Sequence, residues 1–527
     1  MKIHKKVSIT DIPYFSKLIA DYFSKSPALE DFYDKYPEIE NFEKQIKSKQ
    51  FPENQRLVLV KALQKQNEKL PLSQKTTLHI EQLAKENTFT VLTAHQPTIF
   101  LNPLYFVYKI ITTIKLSQTL AEKYPAYNFV PIFWIGSEDH DFEEISYVRL
   151  FGKKYQWQSE QKGAVGRMQP QTLLEVYEQL PEKLDFFKNA YQNFDTLSEA
   201  TAYLINHLFG QYGLVVMSGD DSELKKQFLP IAFDELNEQK TFQKVGETSN
   251  KLAEKGYKAQ VSPREINLFY LENNLRERIV QENNLYKVLH TDLSFTQEQL
   301  KEVFSQNPEK CSPNAILRCV YQESILPNLA YVGGPGELAY WLQLKETFAY
   351  HQKNCPHLQF PILVPRTFAL VLQENQLQKI EKLNLAIEDF FFEEIFLRKQ
   401  LLAKNTTNTL DLEPEKQKIS TIFEEIKQKS LAIDKSLEGS IAAEAQKIAK
   451  ILEGIEKKLQ KAEEKKQETE ILQAVTLKEK LFPNGNLQER TDNFMNFYLN
   501  EPSFLANFMN LVDVFDFNFQ VLTLDKK

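Results

Sequence analysis

Residues 89–148 constrain the fold of this chain more than any other stretch, because two uninterrupted apolar runs flank a long segment of helical spacing. Phe89–Leu92 and the run Val130, Ile132, Phe133, Trp134, Ile135 lack polar alternation, the pattern of strands buried on both faces. A parallel pair needs a crossover of a dozen or more residues, and the segment between the runs supplies it. The stretch therefore reads as a β-α-β unit. Its strands end in polar clusters, Thr93-Ala94-His95-Gln96-Pro97 and Glu138-Asp139-His140-Asp141. Ligands of open parallel sheets bind outside the carboxyl ends of the strands, so both clusters are candidate site loops.

Further strands are expected at Leu214–Met217, which ends in Ser218-Gly219-Asp220-Asp221, and at Pro361–Val364, stopped by Pro365. Gln260–Leu271 reads as strand-rich. Residues 1–88 read as a helical lead-in, and two amphipathic patterns between Leu173 and Leu208 suggest a helical insertion or crossover. From Leu412 to Leu481 the composition shifts to Lys, Glu, Gln, Ile and Leu. The positions Ile448, Leu452, Ile455, Leu459, Ala462 step by 4, 3, 4, 3, the seam of a coiled coil. A break near Ser436–Ser440 leaves open a helical hairpin or one interrupted rod. The tail returns to apolar helix at Phe494–Phe508 and a strand at Phe519–Leu524.

Several function classes are disfavoured. A net charge of −7 provides no chain-wide basic field for nucleic acid or anionic lipid. No apolar run approaches the roughly 18 residues of a membrane span, and the amino terminus has no signal core, so a soluble, unprocessed protein is expected. Cys311, Cys319 and Cys355 form no even-numbered framework, which fits a reducing cytoplasm. A zinc site joining Cys311 and Cys319 to His290 or His351 is the weaker reading beside plain buried thiols.

Three places carry possible chemistry. His95 stands where a strand hands over to a helix, a position that favours phosphate or carboxylate, and the alternative is a helix-capping or loop-bonding role. Lys109 and Lys115 on the following helix read as solvated. Neighbours in the Glu138–Asp141 cluster alternate faces, so only part of it faces one spot; Asp139 and His140 are assigned to function and Asp141 to capping. Gly333-Gly334-Pro335-Gly336 precedes a helix expected to start at Glu337, with backbone open to an anion; a tight turn explains it nearly as well. No GxGxxG follows the first strand, so a dinucleotide site is disfavoured.

The segments TAHQPTIFLNPLYFVYKIITTIKLSQTL, VPIFWIGSEDHDFEEISYV, SPNAILRCVYQESILPNLAYVGGPGELAYWLQLK and LFPNGNLQER together resemble the BshC family of bacillithiol synthesis. The resemblance runs from about Phe89 to the tail. It departs at Ala94 and Asn102, where glycine is expected, and at Pro335 within a glycine run. It implies an α/β fold: a Rossmann-like, nucleotidylyltransferase-type core over 1–410 with connecting-peptide insertions at about 151–210 and 285–360. A coiled-coil arm at 411–482 would mediate a homodimer, and 483–527 would return to the core. The implied activity is a ligase joining cysteine to the amino group of glucosaminyl-malate, giving bacillithiol. Because hydroxide is a poor leaving group, the carboxylate needs activation, for which ATP is expected, with Mg²⁺ as a possible companion. On this reading His95, Asp139 and His140 are catalytic. Gln96, Glu138, Gly333, Gly334 and Gly336 bind substrate, and Arg264 or Arg318 clamps the malyl dianion. The alternatives are a nucleotide-binding coiled-coil scaffold without catalysis, or a nucleotidylyltransferase acting on another small acid.

Overall fold

The computed structural model describes residues 1–405 and 412–524, in which the chain forms two compact units, Met1–Val371 with Asn486–Leu524, and Leu372–Gly485. The expected junction at 410/411 and the end of the tail at 525–527 lie outside the described residues. The first unit closes at Val371, well before 410.

The first unit is built on a five-stranded parallel sheet: β1 (Thr88–His95), β2 (Asn128–Ile135), β3 (Val215–Ser218), β4 (Asn328–Gly333) and β5 (Ile362–Pro365). Helix α1 (Tyr105–Lys123) joins β1 to β2, as the apolar runs required, and buries most of its length because apolar residues occupy more than one face. Every residue of β1 from Thr88 to Ala94 is buried, consistent with a central strand covered on both sides. The spatial order is β3-β2-β1-β4-β5. The chain thus moves outward in one direction from β1 and then crosses to the other side, the Rossmann arrangement whose switch point lies between the first and fourth strands. Register places the carboxyl ends side by side: His95 opposite Ile135, Ile135 opposite Ser218, and Gly333 opposite Pro365.

The segment 151–210 is largely helical, between β2 and β3 in sequence. The segment 285–360, expected as an insertion, instead contains β4, a core strand, together with helices α2 (Ala315–Ile325) and α3 (Pro335–Trp341). The apolar run Leu329–Val332 is what pulls it into the sheet. A second, antiparallel sheet is formed by Leu268–Glu272, Leu275–Glu282, Leu285–Val288, Ser294–Phe295 and Cys311–Pro313. The amino-terminal lead-in is helical after residue 16, but Lys2–Val7 is a strand paired antiparallel with the tail strand Phe519–Thr523.

In the second unit, α4 (Glu413–Ile433) and α5 (Glu438–Lys466) form an antiparallel hairpin. The reversal falls at Asp434–Leu437, where the Asp434 carboxylate caps the turn by accepting from the Ser436 N–H at 2.8 Å. Ion pairs Lys416–Glu456 (2.8 Å) and Lys427–Glu438 (3.0 Å) fix the alignment, which decides for a hairpin over an interrupted rod. Among the described residues no helix is long and apolar enough to cross a membrane.

Candidate active site

A cavity of about 580 Å³ opens at the carboxyl ends of β1, β2 and β4, beside the switch point. His95, Gln96, Glu138, Asp139, His140, Arg318, Gly334 and Gly336 all line it. Gly333 does not; its carbonyl accepts the Arg366 N–H at 2.9 Å, finishing the strand. Arg264 is also outside the cavity and exposed, because its flanking strand begins only at Leu268 and residues 259–264 run as loop.

The β2 loop is held from two sides. The Gly136 N–H donates to the His95 carbonyl at 2.7 Å, continuing the β1–β2 ladder. The turn Val165–Arg167 of the helical segment donates to the Asp139 and Ser137 carbonyls at 2.6 and 2.8 Å. Gly166 is needed there, since a Cβ would lie 2.3 Å from Ser198 Oγ and 2.5 Å from Ser137 Cβ. Asp141 caps the next turn, accepting from the Glu144 N–H at 3.2 Å.

His95 has both ring nitrogens engaged. Nδ1 lies 3.1 Å from the Gln96 carbonyl, which can only accept, so Nδ1 carries the proton; Nε2 then accepts the Tyr105 hydroxyl at 3.0 Å. Burial, reinforced by the Lys109 charge, pushes its pKa down to about 4, so the ring is neutral near pH 7. Asp139 is differently placed. Burial alone would raise its pKa, but donation from Gln96 Nε2 (2.6 Å), the Arg276 charge and the His140 and Asp141 N–H groups holds it below the usual range. His140 accepts from Arg276 Nη1 at 2.8 Å through Nδ1. Glu138 lies 3.1 Å from Lys225, a fully buried lysine that also meets Asp220 and the Glu309 carbonyl.

Lys109, read from sequence as solvated, is 1% exposed. Its Nζ donates to the Ala94 carbonyl and, at 2.7 Å, to Glu337 Oε2. Glu337 also accepts from Tyr331 Oη and, at 2.9 Å, from the Gly334 N–H. The glycine turn expected to receive an anion therefore already has a carboxylate on Gly334, and Pro335 offers no N–H. Positive charge facing the cavity comes instead from arginines 276, 318, 366 and 490. Arg366 is 2% exposed, donates to Glu489 at 2.6 Å, stacks on Phe368 and Tyr105, and leaves its Nε buried without a partner. Arg490 is exposed and touches the Tyr105 face.

The comparisons with known proteins agree with this architecture. The model for the bacillithiol biosynthesis BshC N-terminal Rossmann-like domain matches residues 1–367, and that for the BshC C-terminal coiled-coil domain matches 369–524. The chain belongs to the BshC family. The protein described as "Putative cysteine ligase BshC" in Flavobacterium johnsoniae is 41% identical over 524 residues, covering 97% of this chain and 98% of that one. Proteins of the same description in Flavobacterium psychrophilum and Cytophaga hutchinsonii are 44% and 39% identical, over 92% and 98% of this chain and 93% and 98% of theirs. The two family models meet at 367/369, close to the division at Val371.

Tyr105, Arg276, Arg366 and Arg490 carry no role in the sequence-based expectations, and Glu337 figures there only as a helix start. Arg366 follows the carboxyl end of β5 directly, and Arg490 lies in the LFPNGNLQER segment that carried the family resemblance, so both had a signal. Arg276 is the second residue of the strand Leu275–Glu282 and had none. Among the described residues no three of His, Cys, Asp and Glu stand together as a metal-ligand set, the three cysteines included.

Two outcomes follow from the buried charges. Lys109→Met leaves the Glu337 carboxylate uncompensated and should cost about 3–5 kcal/mol, read as a lowered thermal midpoint, with much of the loss recovered in Lys109→Met/Glu337→Gln. His95 has a folded pKa below its unfolded value, so its contribution is whole above about pH 6.5 and is lost as pH falls toward about 4. A His95→Gln variant should therefore lose less stability than wild type between pH 7 and 4, by about 2–3 kcal/mol in paired denaturation curves.

Proposed function

We propose that the chain is a ligase that adds cysteine to the amino group of glucosaminyl-malate, forming bacillithiol, with the cysteine carboxylate activated by ATP. The observation that carries this reading is the grouping of four arginines around one cavity at the sheet's switch point, in a chain of the BshC family. A dianionic malyl group and nucleotide phosphates both call for guanidinium donors, and arginine supplies them in a planar fork. Arg490 and Arg318 take the malyl carboxylates in this reading, Arg318 already fixed by bonds to Gln322 and Tyr340. Arg276 and Arg366 would meet the phosphates, Arg366 through the unpaired Nε. ATP supplies a leaving group in place of hydroxide when bound.

His95, with both nitrogens in use, orients the Tyr105 hydroxyl, and Asp139 and His140 act by holding Gln96 and Arg276. Purified protein given ATP, cysteine and glucosaminyl-malate should release bacillithiol, detected by mass; no product from wild type removes this function. Arg490→Met should raise KM for glucosaminyl-malate about 10- to 100-fold with little change in kcat, the worth of one or two charged hydrogen bonds, while Arg264→Met should match wild type.

The hairpin of α4 and α5 is proposed as a homodimer surface, because Ile451 and Ile455 are 56% and 42% exposed and Ile422 lies exposed on the facing helix. Ile451→Lys/Ile455→Lys should halve the mass seen by light scattering, whereas an unchanged dimer overturns this surface.

A further inference from the structure

Four carboxylates line the cavity, and the charge of three is already met. Glu138 lies beside Lys225, Glu337 holds Lys109, and Asp139 accepts from Gln96 and two backbone N–H groups. Glu144 differs. It stands on the short helical turn Phe142–Ile145, set by the Asp141 cap, and no cation among the described residues lies within ion-pair distance of its carboxylate. Asp139 and His140, expected from sequence to be catalytic, are spoken for: Asp139 by its donors, and His140 by Arg276 at Nδ1.

Resting on the ligase reading above, we propose that Glu144 is the base that takes the proton of the substrate amine as its nitrogen bonds to the activated acyl carbon. The amine lone pair forms the C–N bond while the carbonyl π pair moves to oxygen. That pair then returns and expels the phosphate or nucleotide that a nucleoside triphosphate had placed on the acid. The N–H proton ends on the Glu144 carboxylate and passes to water after product leaves. Burial, with the charges of Asp141 and Asp139, raises the Glu144 pKa, while Gln96 and Arg490 pull it partly back. A carboxylate raised in this way is a better base than one held low, as Asp139 is. Arg490 lines the same cavity, so the group that holds the malyl end and the group that receives the proton share one chamber.

The test is the pH dependence of bacillithiol formation by the purified full chain with ATP, cysteine and glucosaminyl-malate. Wild type should lose kcat on the acid side as one group protonates. Glu144→Gln should lower kcat about 10²-fold or more and flatten that acid limb, with glucosaminyl-malate affinity by calorimetry changed less than about threefold. Glu144→Asp should restore part of the rate, and Glu143→Gln, one residue away and outside the cavity, should match wild type. An active wild type with Glu144→Gln above half its rate, or slowed with the acid limb intact, overturns the assignment and leaves the ligase reading standing. Absence of product from wild type overturns the ligase reading itself.

Discussion

The buried ion pair between Lys109 and Glu337 is the constraint on which the rest of the site depends. One ammonium ties the carbonyl of Ala94, at the end of β1, to the first turn of α3, which follows β4. It thereby bridges the two strands that flank the switch point. An ion pair in this position has lost its water, and the attraction offsets that loss only because further donors fill the remaining lone pairs. Tyr331 and the Gly334 N–H do so for Glu337. The same pair shapes the chemistry around it. Its carboxylate occupies the glycine turn where an anion would otherwise sit, and its ammonium helps keep His95 neutral.

Four carboxylic acids within one cavity are made unequal by their neighbours. Glu138 and Glu337 face buried lysines, Asp139 faces amide and N–H donors, and Glu144 faces two like charges. Burial raises the pKa of a carboxyl group and donors lower it, so the direction of each shift follows from what surrounds the oxygens. This separation of roles arises from packing, with no change of residue type. Asp139, assigned to function from sequence, is thereby committed to holding its own loop through the His140 and Asp141 N–H groups.

The tail contributes to the cavity as directly as the sheet does. Glu489 is fully buried against Arg366 and also accepts the Ala369 N–H at 3.0 Å, so the segment after residue 486 is bonded to the strand Ala369–Leu372 that follows β5. Arg490, the next residue, reaches the cavity as a result. A chain excursion of more than a hundred residues separates Arg366 from its partner. That is affordable because the entropy of closing a loop grows only logarithmically with its length.

Local pattern determined a good deal of this protein. Apolar runs without alternation specify doubly buried parallel strands, and the heptad-like spacing after residue 412 specifies a helical arm, because both depend on which side chains water excludes along a single element. The polar strand ends at His95 and Asp139 were legible for the same reason. What the sequence could not determine was pairing across distance: that Lys109 is buried rather than solvated, that β4 joins the sheet, that Arg276 meets His140, and that Arg490 comes back to the cavity while Arg264 does not. Each of these is set by which surfaces meet once the strands are in register. The protonation and partner of a side chain depend on that surrounding dielectric and charge, which only the tertiary structure supplies.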